Sequence, residues 1–227
     1  MKSLLFNSAF GIALMASAVA DDAPQKIAWD DMKAEYKFED PFIKLSSEQL
    51  LNLSMVARVR QLEIRGKKNG TPVSEEMVKE KMASEKLLLA QGIDIDGLLA
   101  SGDEIKEQRK KRANLGVEEL NGKLVTLSGF VLPLEFEDKK VKEFLLVPWV
   151  GACIHTPPPP PNQIALVVVT TPFASKGMFE AVTVTGKIQL KTQIQELFLV
   201  DGKADINVSY SFAAAKVEKY KKPEKSQ

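Results

Sequence analysis

Apolar positions follow a helical spacing up to about residue 115 and a strand-like spacing after it. Leu51, Met55, Val59 and Leu62 fall at i, i+4, i+8 and i+11, which predicts one apolar stripe of a helix. Ser46 and Gln49 stand ahead of it in capping-box spacing, and the stretch from Gly66 to Gly70 is its expected stop. Thr71-Pro72 then opens a second helix with proline at a permitted early position; Val78, Met82 and Leu89 share a face, and Gly92 closes it. A third helical stretch, residues 94–112, is expected to be interrupted near Gly102. The three stripes should pack on one another or on the C-terminal half of the chain.

Beyond Asn114-Leu115-Gly116 the pattern is that of strands. Residues 123–134, 143–150, 163–171, 181–190 and 207–217 are rich in Val, Ile, Leu, Phe and Thr and are separated by turn residues. Asp138-Lys139-Lys140 predicts a hairpin between the first two, and Gly129 and Gly186 lie inside strands where a tight barrel must bend. Short helical turns are expected at 175–180 and 192–200. This strand count fits a small OB-like β-barrel, with an SH3-like barrel or a small sandwich as alternatives. The expected fold class is therefore α+β: a helical N-terminal region at 21–114, a five-stranded OB-like β-barrel at 115–218, and a polar tail at 219–227.

The first twenty residues read as a signal peptide. Lys2 precedes a broken apolar stretch, and Ala18-Val19-Ala20 supplies small residues ahead of Asp21. That stretch is shorter than the roughly 20 apolar residues of a transmembrane span, and it contains Asn7 and Ser8. No cysteine stands near the cleavage point to take a lipid, so the expectation is a soluble exported chain; an uncleaved anchor is the alternative. The 31 Lys and Arg balance the 30 Asp and Glu once Lys2 is removed, which leaves no long-range attraction for nucleic acid. Lys106, Arg109, Lys110, Lys111 and Arg112 read as the solvated end of a helix, where cations suit the dipole.

Cys153 and His155 are the only cysteine and the only histidine. A single thiol cannot close a bridge within one molecule, and in an oxidising compartment it is a liability unless buried, metal-bound or paired with a partner. Were residues 151–155 to continue the preceding strand, both side chains would project to one face, two rises of about 3.3 Å apart. Zn²⁺ accepts thiolate and imidazole at that spacing, as does copper(I). Two protein ligands are too few for a closed tetrahedral site, so the pattern points to an open or transferring one, with Glu135, Glu137 and Glu143 as candidate helpers. The five prolines Pro157, Pro158, Pro159, Pro160 and Pro161 predict a stiff extended rod of about 15 Å. Asn162 and Gln163 supply polar groups where the chain re-enters the sheet. A rigid surface loop and a proline-rich ligand for another domain are the rival readings of the rod.

The run from Phe144 to Pro148, leading into Gly151-Ala152-Cys153-Ile154-His155-Thr156, the five prolines and Asn162-Gln163, resembles the hallmark of a bacterial exported family carried as a domain of unknown function. Residues 121–125 and 129–135 are similar to its strand leading into that hallmark, and Trp29-Asp30-Asp31 resembles the start of its mature chains. The resemblance covers the barrel half well and the helical half poorly. It implies a periplasmic helper encoded beside ABC transporters of the macrolide-exporter type, in zinc-responsive gene clusters, with those transporter components or other envelope proteins as partners.

The sequence supports three readings of function. The first is a periplasmic accessory protein that binds Zn²⁺ through Cys153 and His155. The second is a non-catalytic binding module of an envelope complex whose thiol is buried for packing. The third is an enzyme with Cys153 as nucleophile and His155 as base, against which stands the lack of a nucleophile elbow, P-loop, paired-histidine zinc motif or dinucleotide loop. The favoured reading is the first, with no catalytic residues.

Overall fold

The structure, a computed structural model, describes residues 23–152, 158–175, 177–199 and 202–221. The expected signal peptide and the last six residues of the polar tail lie outside them. Helix α1 spans Ser47–Asn69, α2 Glu75–Ala90 and α3 Ile95–Asn114. The capping box is present: Gln49 N donates to Ser46 Oγ at 3.2 Å while Ser46 N donates to the Gln49 side chain at 2.8 Å. Gly70, at φ +71°, stops α1 in the left-handed conformation that glycine adopts without strain. α2 starts later than Thr71-Pro72 predicts. Thr71 N is held by Gly66 O at 3.0 Å in the connecting turn, and Ser74 is the residue whose hydroxyl caps the helix. α3 runs through Gly102 without the expected break, because the roughly 1 kcal/mol cost of an internal glycine is small against a packed helix.

The buried helical faces differ in part from the predicted stripes. Leu53, Val56, Leu88 and Ile95 form the helical core, packed by Phe42 and Leu45; Val59 of the predicted stripe is buried, whereas Leu51 is 71% exposed and Met82 and Leu89 face solvent. Apolar residues occur on more than one face of α1 and α2, so spacing alone does not determine which face meets the partner helices. The basic cluster at the end of α3 is also more than solvated. Arg109 forks onto the buried Asp40 carboxylate, Nε to Oδ2 at 2.7 Å and a terminal nitrogen to Oδ1 at 3.0 Å, and its guanidinium lies 5.5 Å from the centre of the Phe42 ring. Arg112 lies 5.1 Å from the centre of the Phe38 ring. Together they strap the 33–45 segment to α3.

A mixed six-stranded sheet makes up the rest, with β1 (Gln25–Lys26) added from the chain start to β2 (Leu124–Glu137). The others are β3 (Lys140–Val147), β4 (Ala165–Phe173), β5 (Ala181–Leu199) and β6 (Gly202–Lys219). β2 pairs with β3 through its second half and with β5 through its first, so the pairings run β2–β3–β4–β6–β5 and back to β2, a ring of five strands. Only β4–β6 within that ring is parallel. The predicted hairpin joins β2 to β3: Asp138 and Lys139 both take positive φ, the geometry of a two-residue turn that matches strand twist. Gly186 sits at an irregularity in the β5–β6 register, where a bend is needed.

Side chains alternate between two cores. Inside the ring, Val125, Leu127, Phe144, Leu146, Val184 and Phe212 are closed off from water. On the outside, Leu132, Leu145, Val147 and Leu166 form a second core, covered by Leu197, Ile206 and Val208. Those last three come from the extended β5–β6 arm. Residues 192–199 are strand rather than the expected helical turn, because residues 202–208 of β6 pair with them. Residues 175 and 177–180 form a bend and turn without helix.

Candidate functional site

β3 ends at Val147, and the chain turns through 148–151, with Gly151 at φ +85°. β3 therefore does not run on through residues 148–151, and the same-face geometry expected for Cys153 and His155 falls on residues beyond that turn. Both residues, with Ile154, Thr156 and Pro157, lie outside the described residues. What brackets them is well placed. Ala152 is fully buried in the outer core beside Leu145 and Val147, so the chain enters the motif from a fixed point. On the far side Pro158 and Pro160 are exposed while Pro159 is buried, as expected of an extended proline segment lying along the protein. Pro160 has the polyproline angles φ −55° and ψ 149°, and the rod stops there because Pro161 begins a 3₁₀ turn, Pro161–Gln163.

That turn is held by the two polar residues at the end of the motif. Asn162 Nδ2 donates to Arg112 O at 3.0 Å and to Leu115 O at 2.8 Å, which ties the exit of the proline rod to the end of α3. Gln163 Nε2 donates to Trp29 O at 2.8 Å, tying it to the 3₁₀ turn Trp29–Met32 at the chain start. Both side chains are buried. Trp29 Nε1 in turn donates to Ser128 O at 2.8 Å, beside Gly129, where an added Cβ would stand 2.8 Å from Val147 O and 3.0 Å from the indole. Close approach of three chain segments requires glycine there. Tyr210, fully buried, completes the junction: its hydroxyl donates to Met32 O at 2.8 Å and accepts from Val117 N at 2.6 Å. Burial pushes the phenol pKa up, and the Val117 bond only partly opposes that. Sequence reasoning misses Tyr210 because one tyrosine in a strand carries no local signal.

The expected helper carboxylates stay away from the end of β3. Glu143 lies four residues before Val147, about 13 Å along the strand, directly opposite Glu135. Partial burial raises the Glu143 pKa, and repulsion from Glu135 adds to it. Glu137 is engaged by Lys142 at 3.0 Å. Among the described residues no three His, Cys, Asp or Glu side chains converge as a metal site.

Apolar groups surround the motif entrance. Trp149 and Val150 are 43% and 61% exposed, and Met178 is 63% exposed. The three share one rim, since Phe130 of β2 pairs with Val147 and the neighbouring Val131 exchanges backbone bonds with Phe179 and Glu180. Phe179 takes φ +62° there to drop its ring into the outer core.

The fold and the junction define an α+β protein whose proline-rich connection is anchored at both ends. The chain belongs to the family described as Protein of unknown function (DUF3299), which matches over residues 29–219. A crystal structure of a DUF3299 family protein from Pseudomonas aeruginosa is similar at 22% identity, covering 89% of this chain and 99% of that one, with a TM-score of 0.49. No curated protein matches the chain. No helix among the described residues is long and apolar enough to cross a membrane.

Proposed function

We propose that the protein is an exported periplasmic accessory protein that binds a transition metal, zinc, through the Cys153 thiolate and the His155 imidazole, and that it assists an ABC transporter in metal or envelope homeostasis. The observation that carries this reading is the anchoring of the motif on both sides, by buried Ala152 before it and by Asn162 and Gln163 after it. A segment pinned at both ends loses little further freedom when it binds a ligand, which favours a site with few protein ligands. The strand order of the ring, with its single parallel pair, favours an OB-like barrel at 115–218. The motif then occupies the β3–β4 connection at the barrel rim. Two protein ligands leave positions for water or a partner's side chain, the arrangement expected of a site that passes its ion on.

Calorimetric titration of the reduced, purified protein with Zn²⁺ tests this. One equivalent should bind, and binding should be lost in both Cys153→Ser and His155→Ala. Unchanged affinity in the doubly substituted protein would sink the reading. A second reading, a non-catalytic protein-binding module of an envelope transporter complex, is favoured by the exposure of Trp149, Val150 and Met178 on one rim. In that case Trp149→Ala should weaken partner capture while zinc binding is unaffected.

A further inference from the structure

On the outer face of β2 and β5, four hydroxyl side chains form a two-by-two block. Thr126 opposes Thr185 and Ser128 opposes Thr183 in the strand register, and in each pair the oxygens are 3.0 Å apart. A hydroxyl has one proton and two lone pairs, so each pair consumes one proton internally and leaves one donor and several acceptor positions facing outward. Thr126, Ser128 and Thr183 of this block line a cleft, whose floor offers donors and acceptors side by side, which suits a ligand that is itself a polyol.

The walls carry different chemistry. Trp29 stands at one side with its indole N–H already spent on Ser128 O, so it offers the cleft only its ring. At the other side is Tyr220, 44% exposed, held where its backbone N–H bonds to Ala181 O at 3.1 Å. Lys26, which pairs with Thr126 through β1, and Lys221, which comes directly after Tyr220, both line the same cleft. Neither makes an ion pair among the described residues. Glu218, the acidic neighbour opposite Thr183, is engaged by Lys216 at 3.1 Å. The half-open cleft has a volume of about 470 Å³, within the range of small-ligand sites.

We infer that this cleft binds an acidic saccharide: the hydroxyl block meets the sugar hydroxyls, Trp29 and Tyr220 cover the apolar faces of the ring, and Lys26 and Lys221 take the carboxylate. A purely anionic ligand would not need the aromatic walls, and a neutral sugar would not need two unpaired lysines. The site shares no side chain with the Cys-x-His segment, so it stands whether or not zinc binds there.

Titration of the full, purified protein with digalacturonate, with the neutral disaccharide lactose and with inorganic phosphate separates the possibilities. Digalacturonate should bind more tightly than either control, and added salt should weaken it. The Lys26→Ala/Lys221→Ala variant, altered only at exposed positions, should lose roughly tenfold in affinity. Thr126→Val/Thr185→Val, which keeps side-chain shape and strand preference, should weaken digalacturonate without changing the salt dependence. No heat at digalacturonate concentrations of about 10 mM would overturn the assignment, since even weak millimolar binding would register there. So would unchanged affinity in the lysine variant, or phosphate binding as tightly as the sugar acid.

Discussion

Replacing Asn162 removes the two hydrogen bonds that couple the exit of the proline rod to the end of α3. In Asn162→Ala the carbonyls of Arg112 and Leu115, on residues that are themselves exposed, lose a donor that is buried. Each neutral bond is worth about 1 kcal/mol net, and water can reach the part-buried carbonyls, so the expected loss is about 2 kcal/mol. Asn162→Asp should be worse at neutral pH, since it sets an acceptor-only carboxylate against two carbonyl oxygens. The two variants then diverge in acid. The buried aspartate's pKa is raised above its unfolded value, so its proton is bound more tightly in the folded state, and the Asp penalty shrinks as pH falls. Urea unfolding monitored by tryptophan fluorescence measures this. With a slope of about 2–3 kcal/mol per molar urea, the alanine variant should shift its midpoint down by roughly 1 M. A midpoint within about 0.2 M of the parent, or an aspartate variant as stable as the alanine one at pH 7, would refute the clamp.

Tyr210→Phe should cost about 2–4 kcal/mol in the same assay, because Met32 O and Val117 N lose their partner in the core. Its pH dependence has a definite sign. The raised phenol pKa means that the parent keeps this contribution below the ordinary tyrosine value, about 10, and loses it as pH climbs through the folded value, while the phenylalanine variant shows no such loss; parallel alkaline curves would contradict it. Asp40→Asn tests the strap on α3. The Arg109 side-chain hydrogen bond lowers the Asp40 pKa, so the parent carries the full contribution above about pH 4 and loses it as pH falls through the depressed folded value. The asparagine variant should be less stable at pH 7, with the gap closing in acid; a gap independent of pH would show that the charge is not the stabilising feature.

Signals in the chain are legible where the physics is local. The capping box at Ser46 and Gln49, the glycine stop at Gly70 and the two-residue turn at Asp138-Lys139 depend on neighbouring backbone atoms, and each is found where its spacing requires. Faces and partners are not legible in that way. Leu51 and Met82 satisfy a helical period as well as Val56 and Leu88 do, yet only the latter pair meets other helices. The basic run at Lys106–Arg112 looks solvated in sequence; that Arg109 reaches back to Asp40 and Arg112 to Phe38 depends on a loop folding across α3. The candidate metal pair, Cys153 and His155, stands out by composition alone, whereas the turn at 148–151 that ends β3 ahead of them is a property of the folded chain.

The sequence by itself determined that a helical half precedes a strand-rich half, where the first helix begins and stops, and that the unusual chemistry collects beside five prolines, because propensity, capping and composition act within a few residues. Tertiary structure decided that the strands pair in a ring, that the β5–β6 arm covers a second core, and that Asn162, Gln163 and Tyr210 are joints between distant segments. Those outcomes rest on contacts between residues as much as 178 positions apart, whose energies exist only once the chain has closed on itself.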